Sequence, residues 1–206
     1  MRTVPESICG RLEPAAAVFA GRGFDDTRME DLAEATGVPR ATLYYYFAGK
    51  EEILGWLLGR TLDEVASAVA LATGGDGTAR ERLEGAVLAM LGVMATHPES
   101  CRALAADSGR VSRMPELADA IQSGFHHPVR RLLAEGESDG SLRSVTDPET
   151  CASAVYGAVL MSGLHYLVVD NRMDPDRVGP QLTMLLFSGL DPVSSDKSRS
   201  AGQASG

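Results

Sequence analysis

The chain has 206 residues and a formal net charge of −9, with 44% hydrophobic and 23% charged residues. This balance is ordinary for a soluble globular protein, and it argues against a chain that coats nucleic acid along its whole length. Its three cysteines, Cys9, Cys101 and Cys151, are odd in number and widely spaced, so the sequence predicts neither a disulfide framework nor a metal site, and we expect no cofactor.

The first predicted helix runs from about Pro5 to Ala20. The preceding stretch has no apolar leader, which predicts a cytoplasmic protein. Pro14 lies inside the pattern, so the helix must kink or restart there. One face of this helix is apolar, at the spacing of an amphipathic helix: Ile8, Leu12, Ala15 and Phe19.

Two short helices are predicted next, over 28–36 and 39–47. Thr27 stands three residues before Glu30, which is the spacing of a capping box at a helix start. Gly37 ends the first of the two helices, and a proline follows at the position that suits the start of the second. Two helices joined by so tight a turn predict a helix-turn-helix unit, whose second helix enters the DNA major groove.

The remainder of the chain is predicted to be helical as well. No sustained strand alternation is seen, and glycine and proline punctuate the chain at intervals of about one helix. We therefore expect an all-α fold of about nine helices. The final sixteen residues, 191–206, predict a disordered tail. The helices predicted after the helix-turn-helix unit cover 48–72, 79–96, 99–109, 115–137, 148–170 and 175–190.

The second helix of the unit carries the aromatic run Thr-Leu-Tyr-Tyr-Tyr-Phe. On a helical wheel Leu43 and Phe47 share one side, which predicts that they anchor the helix to its domain. Tyr44 points away from that side, and its ring and hydroxyl suit a sugar-phosphate backbone. Tyr46 falls at the edge, where it borders the same phosphates. Tyr45 is predicted to lean back on the following helix, so we assign it no DNA contact.

Charged and small residues around this run complete the predicted DNA-binding surface. Arg40 can reach a guanine edge or a phosphate, and Lys50 would neutralise a further phosphate. The start of the preceding helix offers backbone N–H groups to a phosphate at Thr27 and Arg28. The full predicted set is Thr27, Arg28, Arg40, Ala41, Thr42, Tyr44, Tyr46 and Lys50.

The segment GFDDTRMEDLAEATGVPRATLYYYFAGKEEIL (23–54) resembles the DNA-binding domain of the tetracycline-repressor (TetR) family of bacterial transcription regulators. The matching elements are the Phe-x-x-x-Gly-Phe at 19–24, the Leu-Ala at 32–33, the Gly-Val at 37–38, the run at 42–47 and the Lys-Glu-Glu at 50–52. In the family, the residues matching Arg40, Ala41, Thr42, Tyr44, Tyr46 and Lys50 lie at the DNA face.

The resemblance implies an all-helical homodimer that represses transcription and releases a palindromic operator when a small effector binds. It also implies a division of the chain into a helix-turn-helix domain (1–47), a connecting helix (48–72) and a ligand-binding and dimerisation domain (79–190). We expect operator half-sites about 34–36 Å apart or a multiple of that distance. The connecting helix touches both domains and is the expected lever.

The charge-free run 151–169 approaches the length of a membrane span, but its polar and small residues favour a buried helix at an interface. With the last helix it predicts a dimer surface formed by Ala154, Gly157, Ala158, Val178, Leu182 and Leu186. A pocket for an apolar or amphipathic effector is predicted among the helices of 79–170. Its predicted lining is Met90, Met94, His97, Phe125, His126, Met161, His165 and Tyr166.

Two other functions are compatible with a helical chain. An enzyme on a helical scaffold is disfavoured, because the sequence contains no nucleophile elbow, metal-ligand cluster or phosphate loop. A helical adaptor that has lost DNA binding is disfavoured by the intact segment from Arg40 to Lys50. The sequence therefore favours a ligand-responsive repressor that acts on double-stranded DNA.

Overall fold

The computed structural model describes residues 3–111 and 113–190, and within them every regular element is helical. The predicted all-α class is confirmed, and segments that continue into one another combine into nine helices in this part of the chain. The predicted tail at 191–206 lies outside the described residues. The elements are α1 (Glu6–Leu12), α2 (Pro14–Arg22), α3 (Met29–Thr36), α4 (Arg40–Tyr46), α5 (Lys50–Thr73), α6 (Ala79–Thr96), α7 (Pro98–Ala106), α8 (Ser108–Val111), α9 (Pro115–Ile121), a π-helical turn (Gln122–His126), α10 (His127–Asp139), α11 (Pro148–Val169) and α12 (Pro175–Leu190).

The N-terminal helices follow the prediction in one respect and depart from it in another. The first helix stops at Leu12 and restarts with Pro14 in its first turn, as expected of a residue without an N–H group. The predicted capping box at Thr27 and Glu30 is wrong. Helix α3 begins one residue later than predicted, and the backbone N–H of Arg28 donates to the Asp31 carboxylate at 2.8 Å.

Two clusters of buried side chains form the core. The first joins α1–α4 to the beginning of α5 and also takes in Ala103 of α7 and Leu117 of α9. The second lies among the end of α5, α6 and α10–α12. Helix α5 contributes to both, with Leu57 in the first cluster and Val69 in the second. Burying one leucine or valine side chain contributes about 1.5–3 kcal/mol to the free energy of unfolding. Since α5 supplies such side chains to both clusters, it holds the two parts of the molecule together.

A π-helical turn interrupts the helix that was predicted to run unbroken over 115–137. The extra residue in the turn lets two adjacent side chains, Phe125 and His126, both be buried. Gly124 makes the turn fit against α5, because a Cβ added there would lie 2.7 Å from the Cβ of Ala66. The turn therefore fixes where α9 and α10 meet the connecting helix.

Helix α11 is long and apolar enough to cross a membrane by length and composition alone. In the fold it packs against α6, α7, α10 and α12. Its buried residues recur at helical spacing, which is the pattern of a core helix with one outer face. They are Ala152, Val155, Val159, Gly163, Leu164 and Leu167.

Candidate nucleic-acid interface and effector site

The recognition helix α4 is held by two buried side chains on one side. Leu43 and Phe47 are almost fully buried in the first core cluster, which confirms the prediction that they anchor the helix. The Phe47 ring packs edge-on against Trp56 of α5, with 6.2 Å between the ring centroids. The helix is therefore fixed to α5 at its C-terminal end, and Arg40 and Ala41 at its N-terminal end are exposed.

The opposite side of α4 presents an exposed arginine and two exposed tyrosines. The Arg40 guanidinium lies 5.3 Å from the centroid of the Tyr44 ring and forms an ion pair with Glu30 of α3. A hydrogen bond with Tyr44 and the charge of Glu30 raise the pKa of Arg40 above its ordinary value. Ala41 is exposed and Thr42 is half-buried, so α4 can approach a surface closely. Arg40 thus remains in the candidate DNA face, with Glu30 as its partner in this structure.

The structure exchanges the roles predicted for Tyr45 and Tyr46. Tyr45 is 58% exposed, more than Tyr44 at 47%, whereas Tyr46 is half-buried against the first core cluster. The two rings meet edge to face, with centroids 4.9 Å apart. The reason is helical register, because Tyr46 is three residues after buried Leu43 and Tyr45 is four residues after exposed Ala41. Tyr45 is thus a candidate DNA contact that the sequence reasoning missed.

Lys50 was predicted to neutralise a phosphate, and the structure gives it a different position. Its ammonium group donates to three backbone carbonyls: that of Phe24 at 2.6 Å, of Thr27 at 2.8 Å and of Asp25 at 3.0 Å. An ammonium has three donors, so all of them are used here. Lys50 therefore clamps the turn between α2 and α3, residues 23–28, which we call the Phe24 turn.

The other predicted contact in this turn, Thr27, is also turned away from solvent. Its side chain is buried, and its hydroxyl donates to the Gly23 carbonyl at 2.7 Å. Its backbone N–H donates to the Phe24 carbonyl at 3.2 Å. Arg28 is exposed and remains in the candidate DNA face. Lys50 and Thr27 thus position the helix-turn-helix unit from within.

Lys50→Met should destabilise the protein without changing how operator affinity depends on salt. The substitution removes a donor from three carbonyls, of which that of Phe24 keeps only the bond from the Thr27 N–H, and the loss costs about 1–3 kcal/mol in the free energy of unfolding. A lysine that contacts a phosphate would instead lower the slope of log affinity against log salt concentration by about one unit. Urea unfolding and operator titrations over a range of salt concentrations separate the two roles.

The matched control for this variant is Arg28→Met, which removes an exposed cation from the same turn. It should lower the salt slope and leave the unfolding free energy unchanged, the reverse of Lys50→Met. A Lys50→Met protein of native stability with a reduced salt slope would restore the phosphate role for Lys50.

The Phe24 turn is also attached to the far end of α7. The Phe24 backbone N–H donates to the Asp107 carboxylate at 3.1 Å, and Arg110 forms an ion pair with Asp25 at 2.9 Å. The Arg110 guanidinium lies 3.8 Å from the centroid of the Phe24 ring. We call these three contacts the α7 latch. They join the larger part of the molecule to the turn from which α3 begins.

A small apolar cavity lies between α5, α7 and α9. Its volume is about 40 Å³. Helix α7 supplies Cys101 and Leu104 to one wall, and Asp107 of the α7 latch follows directly after this helix. Burial raises the pKa of the Cys101 thiol to about 12, so this thiol is neutral and unreactive at physiological pH. The full lining is Leu58, Thr61, Leu62, Ser100, Cys101, Leu104, Leu117 and Ile121.

The eight residues predicted to line an effector pocket do not all lie together. Met90, Met94, Phe125 and His126 are buried in the core. His97 binds Glu64 of α5, with 2.6 Å between Nε2 and the carboxylate, and Tyr166 lies half-buried under Arg177. The prediction needs correction for Met161 and His165, because both are exposed on the outer face of α11. None of the eight lines the apolar cavity.

His126 is buried among aromatic side chains. Neither ring nitrogen has a hydrogen-bond partner among the described residues, and the nearest carboxylate oxygen, on Glu149, is 3.7 Å from Nδ1. The ring packs against Phe125 and Tyr156, and burial raises the pKa of Tyr156 to about 12. This cluster is a packed part of the core, and within the described residues no group of His, Cys, Asp and Glu could hold a metal ion.

The outer faces of α11 and α12 carry a patch of exposed apolar side chains. Val178 and Leu182, which were predicted to form the dimer surface, are buried against the core of their own chain, and Leu186 is half-buried there. Other side chains of the same two helices are exposed instead. We define the α11–α12 face by Ala154, Gly157, Met161, His165, Val168, Met184 and Leu185, which are exposed except for half-buried Gly157.

Two protein-family descriptions match the chain, one for each part of the fold. The description "Bacterial regulatory proteins, tetR family" matches residues 12–55, which contain the helix-turn-helix unit. The description "Tetracyclin repressor-like, C-terminal domain" matches residues 76–190, more than half of the chain. The match therefore covers both the candidate DNA face and the α11–α12 face.

Characterised relatives include several transcription regulators. The repressor KstR2 of Mycolicibacterium smegmatis is 24% identical over 200 residues, covering 90% of this chain and 91% of its own. The putative mycofactocin biosynthesis regulator MftR of Mycobacterium tuberculosis is 31% identical over 176 residues, covering 80% of each chain. The Bacillus subtilis regulator FadR, solved in complex with stearoyl-CoA, superimposes with a TM-score of 0.76 at 20% identity, covering 88% of this chain and 98% of FadR.

Proposed function

Because the chain belongs to the TetR family of bacterial regulatory proteins, we propose that it releases its operator when an amphiphile with an aliphatic chain enters between α5, α7 and α9. Family membership makes the protein a ligand-responsive transcriptional repressor that binds operator DNA as a dimer, and not an enzyme. The proposal concerns which residues carry out these steps and what kind of molecule starts them.

This proposal rests on the connection between the apolar cavity and the helix-turn-helix unit that α7 and the residues after it provide. Cys101 and Leu104 line the cavity from α7, and Asp107 and Arg110 hold the Phe24 turn only a few residues later. Any ligand that displaces α7 therefore pulls on the turn that precedes α3. In a dimer this motion changes the distance between the two recognition helices, which must match half-sites about 34–36 Å apart or a multiple of that distance.

The size of the cavity explains why ligand binding and conformational change are coupled. Ligand pockets usually measure about 300–1,000 Å³, whereas this cavity measures about 40 Å³. A ligand must therefore part the helices in order to enter. Helix α9 rests on glycines of α5, with Met114 against Gly55 and Leu117 against Gly59. Helix α9 thus packs closely against α5, and a ligand that parts the two helices must displace α9.

The apolar lining favours an aliphatic chain, and the stearoyl-CoA complex of the relative FadR supports a lipid-like effector. The proposed DNA face comprises Arg28, Arg40, Ala41, Thr42, Tyr44 and Tyr45, with Tyr46 at its edge. The proposed dimer surface is the α11–α12 face. We also assign the protein to the cytoplasm and keep the division into 1–47, 48–72 and 79–190, since the two core clusters meet along α5.

Operator release tests the proposal directly. An operator is first selected from the DNA upstream of the gene, and its affinity for the full-length protein is measured by fluorescence anisotropy. Probes that share a dodecyl chain, such as 1-dodecanol and dodecanoate, are then added below their micellar concentrations. We expect at least one probe to weaken operator binding by about fivefold or more, the lower end of ordinary allosteric coupling.

Arg110→Ala examines the coupling step in the same assay. It should bind the operator with nearly native affinity but respond several-fold less to the probe, because two of the three contacts of the α7 latch are lost. Arg113→Ala, which removes an exposed arginine just beyond the latch, should respond as the native protein does. A native response from Arg110→Ala would place the coupling elsewhere, and failure of every dodecyl probe would refute the proposed effector class.

A further inference from the structure

A second cleft lies where the helix-turn-helix part meets the larger part of the molecule. It is bordered by α2, the first half of α5 and the turn between α6 and α7, and its volume is about 100 Å³. Trp56 and Arg60 stand one helical turn apart on α5, and the Arg60 guanidinium lies 5.4 Å from the centroid of the Trp56 ring. His97 faces them from the end of α6. We call this space the junction cleft.

The junction cleft and the apolar cavity share two lining residues. Thr61 of α5 and Ser100 of α7 border both spaces. Ser100 is buried, and the Thr61 hydroxyl donates to the Leu57 carbonyl at 3.2 Å. The two spaces therefore adjoin at these two small side chains. An amphiphile could therefore place its chain in the cavity and leave its polar end in the cleft.

The charges in the junction cleft indicate which polar end it accepts. Three carboxylates line it, Glu13, Glu64 and Glu99, against two basic groups, Arg60 and His97. Both basic groups already lie against Glu64: His97 Nε2 is 2.6 Å from it, and Arg60 is 4.0 Å from it. Glu99 is paired with Arg102, which reaches it from outside the cleft.

An anionic end group would meet carboxylates and would have to compete for cations that are already paired. Placing like charges together in this way costs several kcal/mol. A hydroxyl or ammonium group would instead donate to the carboxylates that line the cleft. The cleft therefore favours a ligand whose polar end donates hydrogen bonds.

We propose that the junction cleft is the entrance for the effector and that it selects an amphiphile whose polar end is a hydrogen-bond donor without negative charge, such as an alkyl alcohol or amine. This inference rests on the proposed function and specifies its ligand. It separates the effector of this protein from acyl thioesters of CoA, whose phosphates the carboxylates would repel. The ligand enters beside Trp56, passes Thr61 and Ser100, and parts α7 from α5.

The chain's single tryptophan is Trp56, so its fluorescence reports on the cleft without any label. The full-length dimer is titrated with 1-dodecanol, dodecylamine, dodecanoate and lauroyl-CoA, each below its micellar concentration. We expect the alcohol or the amine to change Trp56 emission and release the operator. Dodecanoate and lauroyl-CoA should bind at least about tenfold more weakly, since each 1.4 kcal/mol of repulsion is a factor of ten.

Two substitutions test the route and the selectivity separately. Ser100→Leu fills the passage and should abolish the response to dodecanol while operator binding persists; Ser67→Leu, at an exposed position of α5, should respond as the native chain does. Glu64→Gln removes one carboxylate and should bring dodecanoate about tenfold closer to dodecanol, by removal of one close repulsion.

The outcomes distinguish this inference from the proposed function. Tightest binding by lauroyl-CoA or dodecanoate would overturn the selectivity. Operator release by dodecanol from Ser100→Leu, with Trp56 emission unchanged, would show that the effector enters elsewhere while the proposed function stands. If no probe changes emission or releases the operator, the effector class fails and the entrance fails with it.

Discussion

Leu185→Glu should convert the dimer into monomers and reduce operator binding by about a hundredfold or more, since two half-sites would no longer be bound together. Leu185 is 69% exposed in the single chain, so the substitution costs little in folding. At a two-fold interface the same position occurs on both subunits, and two unpaired carboxylates would be buried where two leucines met. Analytical ultracentrifugation measures the assembly, and anisotropy measures the operator affinity.

The matched control for Leu185→Glu is Leu71→Glu. Leu71 is 81% exposed on α5, outside the α11–α12 face, and the chemical change is identical. It should leave both assembly and operator affinity unchanged. A Leu185→Glu protein that remains a dimer would show that the two subunits meet through another surface.

Phe47→Ala should lower the free energy of unfolding by about 3–5 kcal/mol, the usual cost of removing a buried phenylalanine. The ring is almost fully buried, and its edge contact with Trp56 fixes the end of the recognition helix. Operator binding should fall because α4 loses its position relative to α3. Urea unfolding monitored by circular dichroism gives the change in stability.

A nearby aromatic provides the comparison for Phe47. Tyr45→Ala removes a ring that is 58% exposed, so it should change the unfolding free energy by less than about 0.5 kcal/mol. It should nevertheless weaken operator binding for all sequences alike, as expected of a backbone contact. Native operator affinity for Tyr45→Ala would remove this residue from the DNA face.

Local patterns were sufficient to predict the all-α fold and several of the helix ends. Pro14, Gly37 and the Asp-Pro pairs at 147–148 and 174–175 mark helix ends through backbone geometry that depends only on neighbouring residues. The buried pair Leu43 and Phe47 was predictable for the same reason, because helical spacing alone places both on one side. The family resemblance then supplied the order of the two parts.

Contacts between distant parts of the chain were not predictable in this way. From the sequence alone Lys50 cannot be told from a lysine that binds phosphate. Only the folded Phe24 turn shows that its three donors are already used. The effector site also depends on such contacts, since its walls come from α5, α7 and α9. The predicted methionines and histidines therefore lie elsewhere, some in the core and two on the outer face of α11, and none lines the apolar cavity.

Two of the α12 residues predicted for the dimer surface needed correction. Apolar residues occur on more than one side of α12, and spacing alone does not show which side turns inward. Val178 and Leu182 pack inside, whereas Met184 and Leu185 are exposed. Tyr45 and Tyr46 are a second case of the same ambiguity, at the boundary between two sides of a short helix.

The clamp at Lys50 has a consequence for the composition of the chain. Among the described residues Lys50 is the only lysine, and every other fixed cation there is an arginine. The guanidinium group is planar and its donors point outward in one plane, whereas an ammonium group directs three donors to one side in a tripod. Three carbonyls of a single turn require the tripod. In the described part of the chain, where every other fixed cation is an arginine, this position therefore requires a lysine.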